Sequence, residues 1–222
     1  MKKMNDKTMM KAVVLLSGGQ DSTTVLYKAK QENDQVFAIT FSYGQRHAQE
    51  LEVARQIAKD AKVPIQVIEI PGLAQLVESS LLQHDTEVDK ANYSTPTPNT
   101  FVPGRNLLFL TYAYMYAYTL QGDKIYIGVS AADYSGYPDC RQDFINSFAQ
   151  TATLATERHI QLVTPLMNLD KSQVWNMANE LGILHLVKTQ TLTCYNGIIG
   201  DGCGDCPACV LRKKGYEKFI AN

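Results

Sequence analysis

The sequence predicts an α/β fold in which helices cover both faces of a parallel β-sheet, the doubly wound arrangement. The apolar run 12–16 is rich in valine and leucine and is followed by glycines, which is typical of a buried parallel strand. Further strand-like runs alternate with helix-like segments, and a helix between successive strands makes those strands parallel with right-handed crossovers. The length of 222 residues fits one domain, or one domain with a small appendage.

Each element is predicted from the spacing of its apolar residues. Apolar runs indicate buried strands at 12–16, 36–41, 65–70 and 124–129, with a short strand beginning at 162–163. Helical spacing, as in Leu51, Ala54, Ile57 and Ala58, indicates helices at 22–30, 48–59, 105–120, 141–157 and 172–181. One more short helix is predicted around 73–82. The alternation of strand and helix is the Rossmann-like pattern.

Three segments are expected to differ from this main domain. Residues 1–10 contain lysines but no apolar stretch of a secretion signal, and we expect a disordered tail there. The polar stretch 83–103 is long for a loop, which favours a lid over the substrate, with a plain linker as the alternative. Residues 188–222 form a cysteine-rich C-terminal segment after a main domain at 11–187.

Charge and hydropathy argue against two classes of partner. The net charge of −1 gives no basis for binding nucleic acid or a membrane surface. No apolar stretch approaches the roughly 20 residues that span a bilayer. We therefore expect a protein of the cytoplasm that contacts neither a membrane nor, directly, a nucleic acid.

The turn after the first strand is the most informative motif. It reads Ser17-Gly18-Gly19-Gln20-Asp21-Ser22 and leads into a predicted helix. A strand–turn–helix unit aims backbone N–H groups and the positive end of the helix dipole at one point, which makes an anion site. Glycine lets a phosphate approach the backbone closely. Since no lysine follows the glycines, the motif is not a Walker A loop.

The pattern S-G-G-x-D-S resembles the pyrophosphate loop of the ATP pyrophosphatase, or PP-loop, superfamily, whose members cleave ATP between the α and β phosphates. The resemblance implies that the strand end, the turn and the first turns of the helix contact ATP: Leu16, Ser17, Gly18, Gly19, Gln20, Asp21, Ser22, Thr23, Thr24, Val25 and Leu26. A tight turn that holds no ligand is the alternative interpretation.

Polar segments that contain glycine follow the other predicted strands. Because the carboxyl ends of parallel strands meet at one edge of the sheet, these segments are expected to line one pocket. Arginine suits a carboxylate or a phosphate because its planar fork donates two parallel hydrogen bonds. We expect the substrate to be bound by Tyr43, Arg46, Arg105, Asp133, Tyr137, Asp139 and Arg141. For each arginine taken singly, a surface position is the alternative.

Three of the charged side chains have a second interpretation. Asp133 and Asp139 suit the adjacent N–H donors of a guanine-type ring, because an ionised carboxylate only accepts hydrogen bonds. Asp139 also precedes the predicted helix at 141, where it would serve as an N-cap. Lys171 precedes another predicted helix, and there it either reaches a phosphate oxygen or remains solvated.

Most of the cysteines crowd into the C-terminal segment. The spacing C-x8-C-x2-C-x2-C joins Cys194, Cys203, Cys206 and Cys209. Thiolates at such spacing predict a closed tetrahedral zinc site with a structural role, and an iron–sulfur cluster is the alternative because it uses the same ligands. Cys140 stands apart, either as a nucleophile or as ordinary packing.

The predicted helix 105–120 carries tyrosines at 112, 114, 116 and 118, which cannot all face the core. Tyrosine is enriched at subunit interfaces, so some of these side chains are expected at the contact of a homodimer. Packing beneath the 83–103 loop is the alternative.

Taken together, the motifs resemble the 7-cyano-7-deazaguanine synthase family of queuosine biosynthesis, from residue 11 to residue 218. Beyond the turn at 17–22 and the cysteines, the resemblance rests on Tyr43-Gly44-Gln45-Arg46-His47, Val102-Pro103-Gly104-Arg105-Asn106 and Ser135-Gly136-Tyr137-Pro138-Asp139-Cys140-Arg141. It implies the ATP-dependent conversion of 7-carboxy-7-deazaguanine and ammonia to 7-cyano-7-deazaguanine, through an adenylated carboxylate and an amide.

The resemblance also implies the ligands and the roles of residues. ATP, Mg²⁺ and a structural Zn²⁺ would be bound by an ATP-binding catalytic domain at 11–187 and a zinc-binding segment at 188–222. The fold would be of the adenine nucleotide alpha hydrolase-like type, in a cytoplasmic homodimer. The catalytic residues would be Ser17, Asp21, Ser22, Lys171 and Arg105.

Two other functions stay open from the sequence. One is another adenylating ligase or a tRNA-modifying enzyme of the same superfamily, and for a thiolase Cys140 offers the sulfur-carrying group. The other is a binding protein, either an ATP sensor or a zinc ribbon that holds nucleic acid through Arg212-Lys213-Lys214. The near-neutral charge argues against both functions that need nucleic acid.

Overall fold

The fold is built on a parallel sheet with the strand order β3-β2-β1-β4-β5. The computed structural model describes residues 9–45, 49–77, 79–82, 99–130 and 137–221. The strands are Lys11–Leu15 (β1), Gln35–Ser42 (β2), Ile65–Glu69 (β3), Lys124–Tyr126 (β4) and Gln161–Val163 (β5). In the central register, Val13 of β1 lies between Phe37 of β2 and Ile125 of β4. Every pairing is parallel, as the sequence predicts.

Helices cover both faces of this sheet. They are Gln20–Glu32 (α1), Gln49–Asp60 (α2), Leu73–Leu76 (α3), Arg105–Thr119 (α4), Gln142–Thr156 (α5), Lys171–Glu180 (α6), Leu184–Gln190 (α7) and Pro207–Ile220 (α8). Val14 packs with α1 and α2 on one face, whereas the neighbouring Val13 packs with α4 and α5 on the other. Successive side chains of a strand point to opposite faces, so a strand buried on both sides is apolar throughout. The doubly wound arrangement is confirmed.

Some elements differ in extent from the prediction. β4 ends at Tyr126 instead of 129, and the chain leaves the sheet where Gly128 lies against the backbone of Asp21 and Ser22. α3 covers only four residues of the predicted 73–82 helix. The sequence did not predict α7 and α8, which pack with α6 around the buried Trp175.

The strand order reverses between β1 and β4, and this reversal positions the candidate site. The chain runs from β1 to β2 on one side and reaches β4 on the other side of β1. In open α/β sheets a crevice opens outside the carboxyl ends of the strands at such a point.

Among the described residues, no helix is long and apolar enough to cross a membrane. The greater part of the expected N-terminal tail, residues 1–8, lies outside the described residues. The same holds for residues 83–98 of the expected lid.

Candidate active site

A cavity of about 560 Å³ opens at the carboxyl ends of β1, β2 and β4. Its size falls in the range of roughly 300–1,000 Å³ that is usual for small-molecule sites. Its walls come from the turn after β1, the first turns of α1, α2 and α4, the start of α6, and the C-terminal segment. The lining includes all of the residues predicted to be catalytic: Ser17, Asp21, Ser22, Arg105 and Lys171.

The turn after β1 is held together by its own serines. The hydroxyl oxygens of Ser17 and Ser22 lie 3.0 Å apart, and the Ser22 hydroxyl accepts a hydrogen bond from the Ser17 N–H at 3.2 Å. Gly18 has φ +84°, and a Cβ on it would lie 3.0 Å from the backbone nitrogen of Ala54 in α2. Only glycine therefore lets the turn pack this closely between α1 and α2, with the N-terminus of α1 at the cavity.

Asp21 and Lys171 form an ion pair inside this cavity. Lys171 Nζ lies 2.5 Å from Asp21 Oδ2, and the lysine and aspartate side chains are 9% and 20% exposed. The ammonium group also donates to the hydroxyl of Ser130 at 3.4 Å. The alternative of a solvated lysine is therefore wrong, because the structure encloses this cation beside the turn.

The position of Lys171 depends on the elements around it. It is the first residue of α6, whose start is fixed by a capping box between Asp170 and Gln173. On the other side, α8 crosses so closely that a Cβ on Gly215 would lie 2.5 Å from Lys171 Cβ. The absence of a side chain at Gly215 thus allows α8 to enclose the lysine.

Arg105 also lines the cavity, at the start of α4. Burial by itself would lower the pKa of its guanidinium, but the neighbouring Tyr43 and Asp139 raise that pKa overall, and the group stays a cation. Arg105 hydrogen-bonds the Tyr43 hydroxyl, whose pKa is raised by burial. Burial also raises the pKa of Glu50 in α2 to about 7, against the opposing effect of Arg105. This wall therefore combines a permanent cation with a carboxyl group that is partly protonated near neutral pH.

Tyr137 lines the cavity as well. Its hydroxyl oxygen is 2.5 Å from Thr100 Oγ1 and 3.4 Å from the hydroxyl oxygen of Tyr195. Tyr195 directly follows the first cysteine of the C-terminal segment, which therefore reaches the same side of the cavity as Arg105.

Asp139 and Arg141 are not brought to this cavity. They line a shallower depression together with Phe101, Leu107 and Phe144. The Asp139 carboxylate accepts a hydrogen bond from the backbone N–H of Asn106 at 3.1 Å, in the first turn of α4. The alternative in which Asp139 caps the helix at 141 is wrong, because the described residues supply α5 with no side-chain cap. The reason is the 3₁₀ turn Pro138–Cys140, which directs Asp139 toward α4.

The predicted nucleotide contacts divide into two groups. Leu16, Ser17, Gly19, Gln20, Asp21 and Ser22 line the cavity. Gly18 packs against α2. The stretch 23–26 does not line the cavity, because these residues lie on the inner side of α1 and are wholly buried in the core. The remaining predicted substrate residues, Arg46 and Asp133, lie outside the described residues.

The cysteines predicted to bind a metal converge on one point. The Sγ atoms of Cys194, Cys203, Cys206 and Cys209 all lie within 4.8 Å of one another. The backbone N–H of Cys206 and the amide of Asn196 donate to Cys203 Sγ at 3.4 and 3.3 Å, and such donors stabilise a thiolate. A Cβ on Gly202 would collide with Cys209 Sγ, so glycine makes room for the cluster. The arrangement can hold a metal ion.

Cys140 packs in the core beneath α4. Its Sγ accepts a hydrogen bond from the Asn106 amide at 3.5 Å, and its residue is buried among the apolar side chains of that face. It also contributes to the floor of the cavity, so the structure leaves both interpretations of this thiol in place.

Several residues of the cavity were missed by sequence reasoning. Glu50, Thr193, Tyr195, Arg212 and Lys214 all line it. The basic run at 212–214 was the available signal, and here Lys214 lies at the cavity instead of on a separate nucleic-acid surface. The others carry no local pattern, because they are brought to the site by the packing of α2, α7 and α8.

Solved structures with the same architecture support the fold assignment. A predicted subunit of a tRNA methyltransferase from Methanocaldococcus jannaschii is similar with a TM-score of 0.53 and 20% identity, over 78% of this chain and 75% of that chain. A 4-thiouridine synthetase, solved in complex with RNA and with bound ATP, is similar with a TM-score of 0.53 and 16% identity, over 95% of this chain and 50% of that one.

The parallel sheet and the Ser-Gly-Gly turn at the end of β1 thus define an α/β protein with an adenine nucleotide alpha hydrolase-like fold. Within that class, the chain belongs to the family described as queuosine biosynthesis protein QueC, whose model matches residues 11–220. A 7-cyano-7-deazaguanine synthase from Parabacteroides distasonis is 51% identical over 213 residues, which is 94% of each chain.

Proposed function

We propose that this chain is an ATP-dependent carbon–nitrogen ligase that converts 7-carboxy-7-deazaguanine and ammonia to 7-cyano-7-deazaguanine. The observation that carries the proposal is that two kinds of binding group line one cavity. The turn after β1 with Lys171 suits a polyphosphate, and Arg105 suits a carboxylate. The choice of substrate is supported by the name of the 51% identical relative, a 7-cyano-7-deazaguanine synthase.

The proposed nucleotide side is the turn at 17–22 with Lys171 and Lys214. Backbone N–H groups at the start of α1 and the two ammonium groups favour the negative charge of the departing pyrophosphate. Mg²⁺ would accompany the polyphosphate, and Asp21 would be its ligand from the turn, since carboxylate oxygens suit this ion. Lys171 then has a double role, because it balances Asp21 and lies within reach of the phosphates.

The proposed substrate side is formed by Arg105, Tyr43 and Tyr137. The guanidinium of Arg105 would orient the carboxylate toward the α-phosphorus, so that much of the rate enhancement comes from positioning. The tyrosine rings offer flat faces for stacking on a deazapurine. Asp139 and Arg141 stay proposed substrate contacts, although they do not line this cavity. Two further proposed substrate contacts, Arg46 and Asp133, lie outside the described residues.

The chemistry follows from the poor leaving ability of a carboxylate oxygen. The substrate carboxylate attacks the α-phosphorus of ATP, pyrophosphate leaves, and the carboxyl oxygen becomes part of an acyl adenylate. Ammonia attacks the carbonyl carbon, AMP leaves, and after loss of a proton the amide is formed. The amide oxygen then attacks the α-phosphorus of a second ATP and a second pyrophosphate leaves. Loss of AMP and of the two nitrogen-bound protons gives the nitrile.

We further propose zinc as the ion of the four-cysteine site. A single tetrahedral ion with Zn–S distances of about 2.3 Å draws its ligands together, whereas a cluster holds each sulfur on a separate iron, farther apart. The 3.9 Å between Cys203 Sγ and Cys209 Sγ supports the single ion. The ion would tie the two ends of the cysteine-rich part of the segment 188–222 to each other.

The proposed assembly is a homodimer in the cytoplasm that does not bind nucleic acid directly. Apolar side chains are exposed along α4 and α5, with Met115 and Leu154 showing 60% and 83% of their surfaces. Of the tyrosines of α4, Tyr114 lies in the core and Tyr118 is half exposed beside Arg158. A second copy of the chain would cover this face, since exposed apolar patches mark interaction sites.

The test is the release of pyrophosphate and AMP from MgATP in the presence of ammonium, with and without 7-carboxy-7-deazaguanine. We expect release that depends on the substrate and a nitrile product by mass spectrometry. The variant Arg105→Lys keeps the charge but loses the planar fork, and we expect a raised KM for the carboxylate with little change in the KM for ATP. Release without dependence on the substrate would assign the chain to another adenylating reaction, and no release at all would refute the proposal.

A further inference from the structure

The chain between α7 and the four-cysteine site lies directly against the turn after β1. The Leu192 N–H donates to the carbonyl of Gly18 at 2.9 Å. A Cβ on Gly19 would lie 3.5 Å from the Leu192 carbonyl oxygen, so the two backbones are in close contact. The C-terminal segment therefore forms part of the wall behind the proposed pyrophosphate site.

Thr193 extends this contact with its side chain. Its Oγ1 accepts a hydrogen bond from the backbone N–H of Gln20 at 3.1 Å. Gln20 is the first residue of α1, and the N-cap position is Gly19, for which the described residues include no side-chain cap from the turn itself. Since the first N–H groups of a helix have no partner within it, Thr193 supplies from 173 positions away the cap that glycine cannot.

Arg212 of α8 holds this threonine in place. Arg212 Nη1 lies 3.4 Å from Thr193 Oγ1, while Nη2 donates to the carbonyls of Val187 and Lys188 at 2.8 and 3.0 Å. The guanidinium also lies over the Trp175 ring at 5.2 Å, and Arg212 is only 5% exposed. A buried arginine with partners on α6 and α7 is a rigid support for the threonine.

These two residues flank the cysteines in the sequence. Thr193 directly precedes Cys194, and Arg212 follows Cys209 by three positions on α8. A metal that gathers the cysteines thereby fixes both ends of the segment that meets the start of α1. The hydrogen bonds between the segment and the turn join protein atoms only, so the metal takes no direct part in them.

We propose that Thr193 is a positioning residue for ATP binding, which couples the four-cysteine segment to the turn after β1. The proposal rests on the proposed function, in which that turn binds ATP. The first turn of α1 contains Gln20, Asp21 and Ser22, which line the cavity. Without the Thr193 cap this turn of helix frays, and the anion site and Asp21 lose their fixed positions.

The test compares Thr193→Val, which keeps the shape but loses the hydroxyl, with Thr193→Ser, which keeps the hydroxyl. We expect Val to weaken the binding of MgATP roughly five- to tenfold, the size of one lost helix cap, and Ser to bind within about twofold of the unchanged protein. Titration calorimetry measures the dissociation constant, and metal analysis checks that each variant is fully loaded. Thr189→Val is the matched control, since the hydroxyl of that exposed threonine donates to the His185 carbonyl within α7 and, among the described residues, makes no other hydrogen bond.

Hydrogen exchange of the backbone amides at 20–22 gives a second readout that does not depend on ATP. We expect faster exchange there in Thr193→Val, but not in Thr193→Ser or Thr189→Val. Unchanged MgATP affinity in Thr193→Val would overturn the proposal, and so would a Val variant that loses its metal while Ser keeps it. If the unchanged protein fails to bind MgATP, the proposed function fails, and the exchange rates still decide whether Thr193 holds the turn.

Discussion

The ion pair between Asp21 and Lys171 gives the strongest test of how the site is built. From the sequence, a change of Asp21 is expected to abolish ATP turnover and to leave the fold intact. The structure alters the second half of that expectation, because the Asp21 carboxylate neutralises an ammonium group that is only 9% exposed. Asp21→Asn removes the charge with almost no change of volume and takes from the enclosed Lys171 the carboxylate that lies 2.5 Å from its Nζ.

The cost follows from the burial of the pair. Breaking a buried ion pair by removing one partner costs about 3–5 kcal/mol, because the remaining charge is left without compensation. The aspartate side chain is 20% exposed, so water screens the pair in part and the lower end, about 3 kcal/mol, applies. For a chain of this size, that loss corresponds to a fall in Tm of roughly 6–12 °C.

The assay is urea unfolding of Asp21→Asn, Lys171→Met and the double variant, with pyrophosphate release measured in parallel. We expect each single change to lower the free energy of unfolding by about 3 kcal/mol, and the double variant to recover most of that loss, because neither charge of this pair then remains. All three should lose ATP turnover. Glu217→Gln is the control, since it breaks the exposed pair with Lys213 and should cost less than about 1 kcal/mol. The reasoning would be refuted if the double variant lost as much free energy of unfolding as the two single variants lose together.

Three further predictions concern the walls of the cavity and the metal site. Because burial raises the pKa of Glu50 to about 7, the folded state holds a proton that the unfolded chain releases near pH 4.5, so stability falls as the pH rises between these values. In urea unfolding, Glu50→Gln should therefore be more stable than the unchanged protein by about 3 kcal/mol at pH 8 and equal to it at pH 4. The control Glu52→Gln, at an exposed position, should show no such trend. Equal stability of Glu50→Gln and the unchanged protein at pH 8 would contradict the burial of Glu50. Gly215→Ala should push α8 away from Lys171, lower the free energy of unfolding by about 1–3 kcal/mol and weaken MgATP binding. If neither the free energy of unfolding nor the MgATP affinity changes, the close crossing of α8 is not required. Cys206→Ser should lose the bound metal by elemental analysis and unfold at a lower temperature, and a fully folded, fully loaded variant would argue against a four-thiolate site.

The parts of the fold that the sequence predicts well are those with a local cause. β1 and the turn at 17–19 are recognisable because a buried strand must be apolar on both faces and because a close phosphate approach needs glycine. The bounds of α2, α4, α5 and α6 are matched to within a residue or two for the same reason, since each buries a stripe with helical spacing. β4 departs from its apolar pattern, which extends to 129, because Gly128 turns the chain toward α1.

The parts of the site that the sequence does not predict depend on long-range packing. From the sequence, Lys171 is as compatible with a position in solvent as with one beside a phosphate. The structure encloses it, because Gly215 lets α8 pass close to it. Asp139 stands in the right motif but faces the backbone of Asn106, because the short turn before α5 rotates it. No spacing rule connects such residues, since their neighbours come from elements more than thirty positions away.

The C-terminal segment changes the understanding of how such a sheet builds its site. The strand ends supply the turn, Arg105 and Tyr43, as the topology requires. The remaining wall comes from Thr193, Tyr195 and Lys214, which no strand presents. A metal centre that only held the C-terminal segment together would not require these contacts with the turn. Because the segment caps α1 and places a cation at the cavity, it contributes to the proposed nucleotide side as well as to the side of Arg105. Metal loss is therefore expected to act on ATP binding before it acts on the sheet.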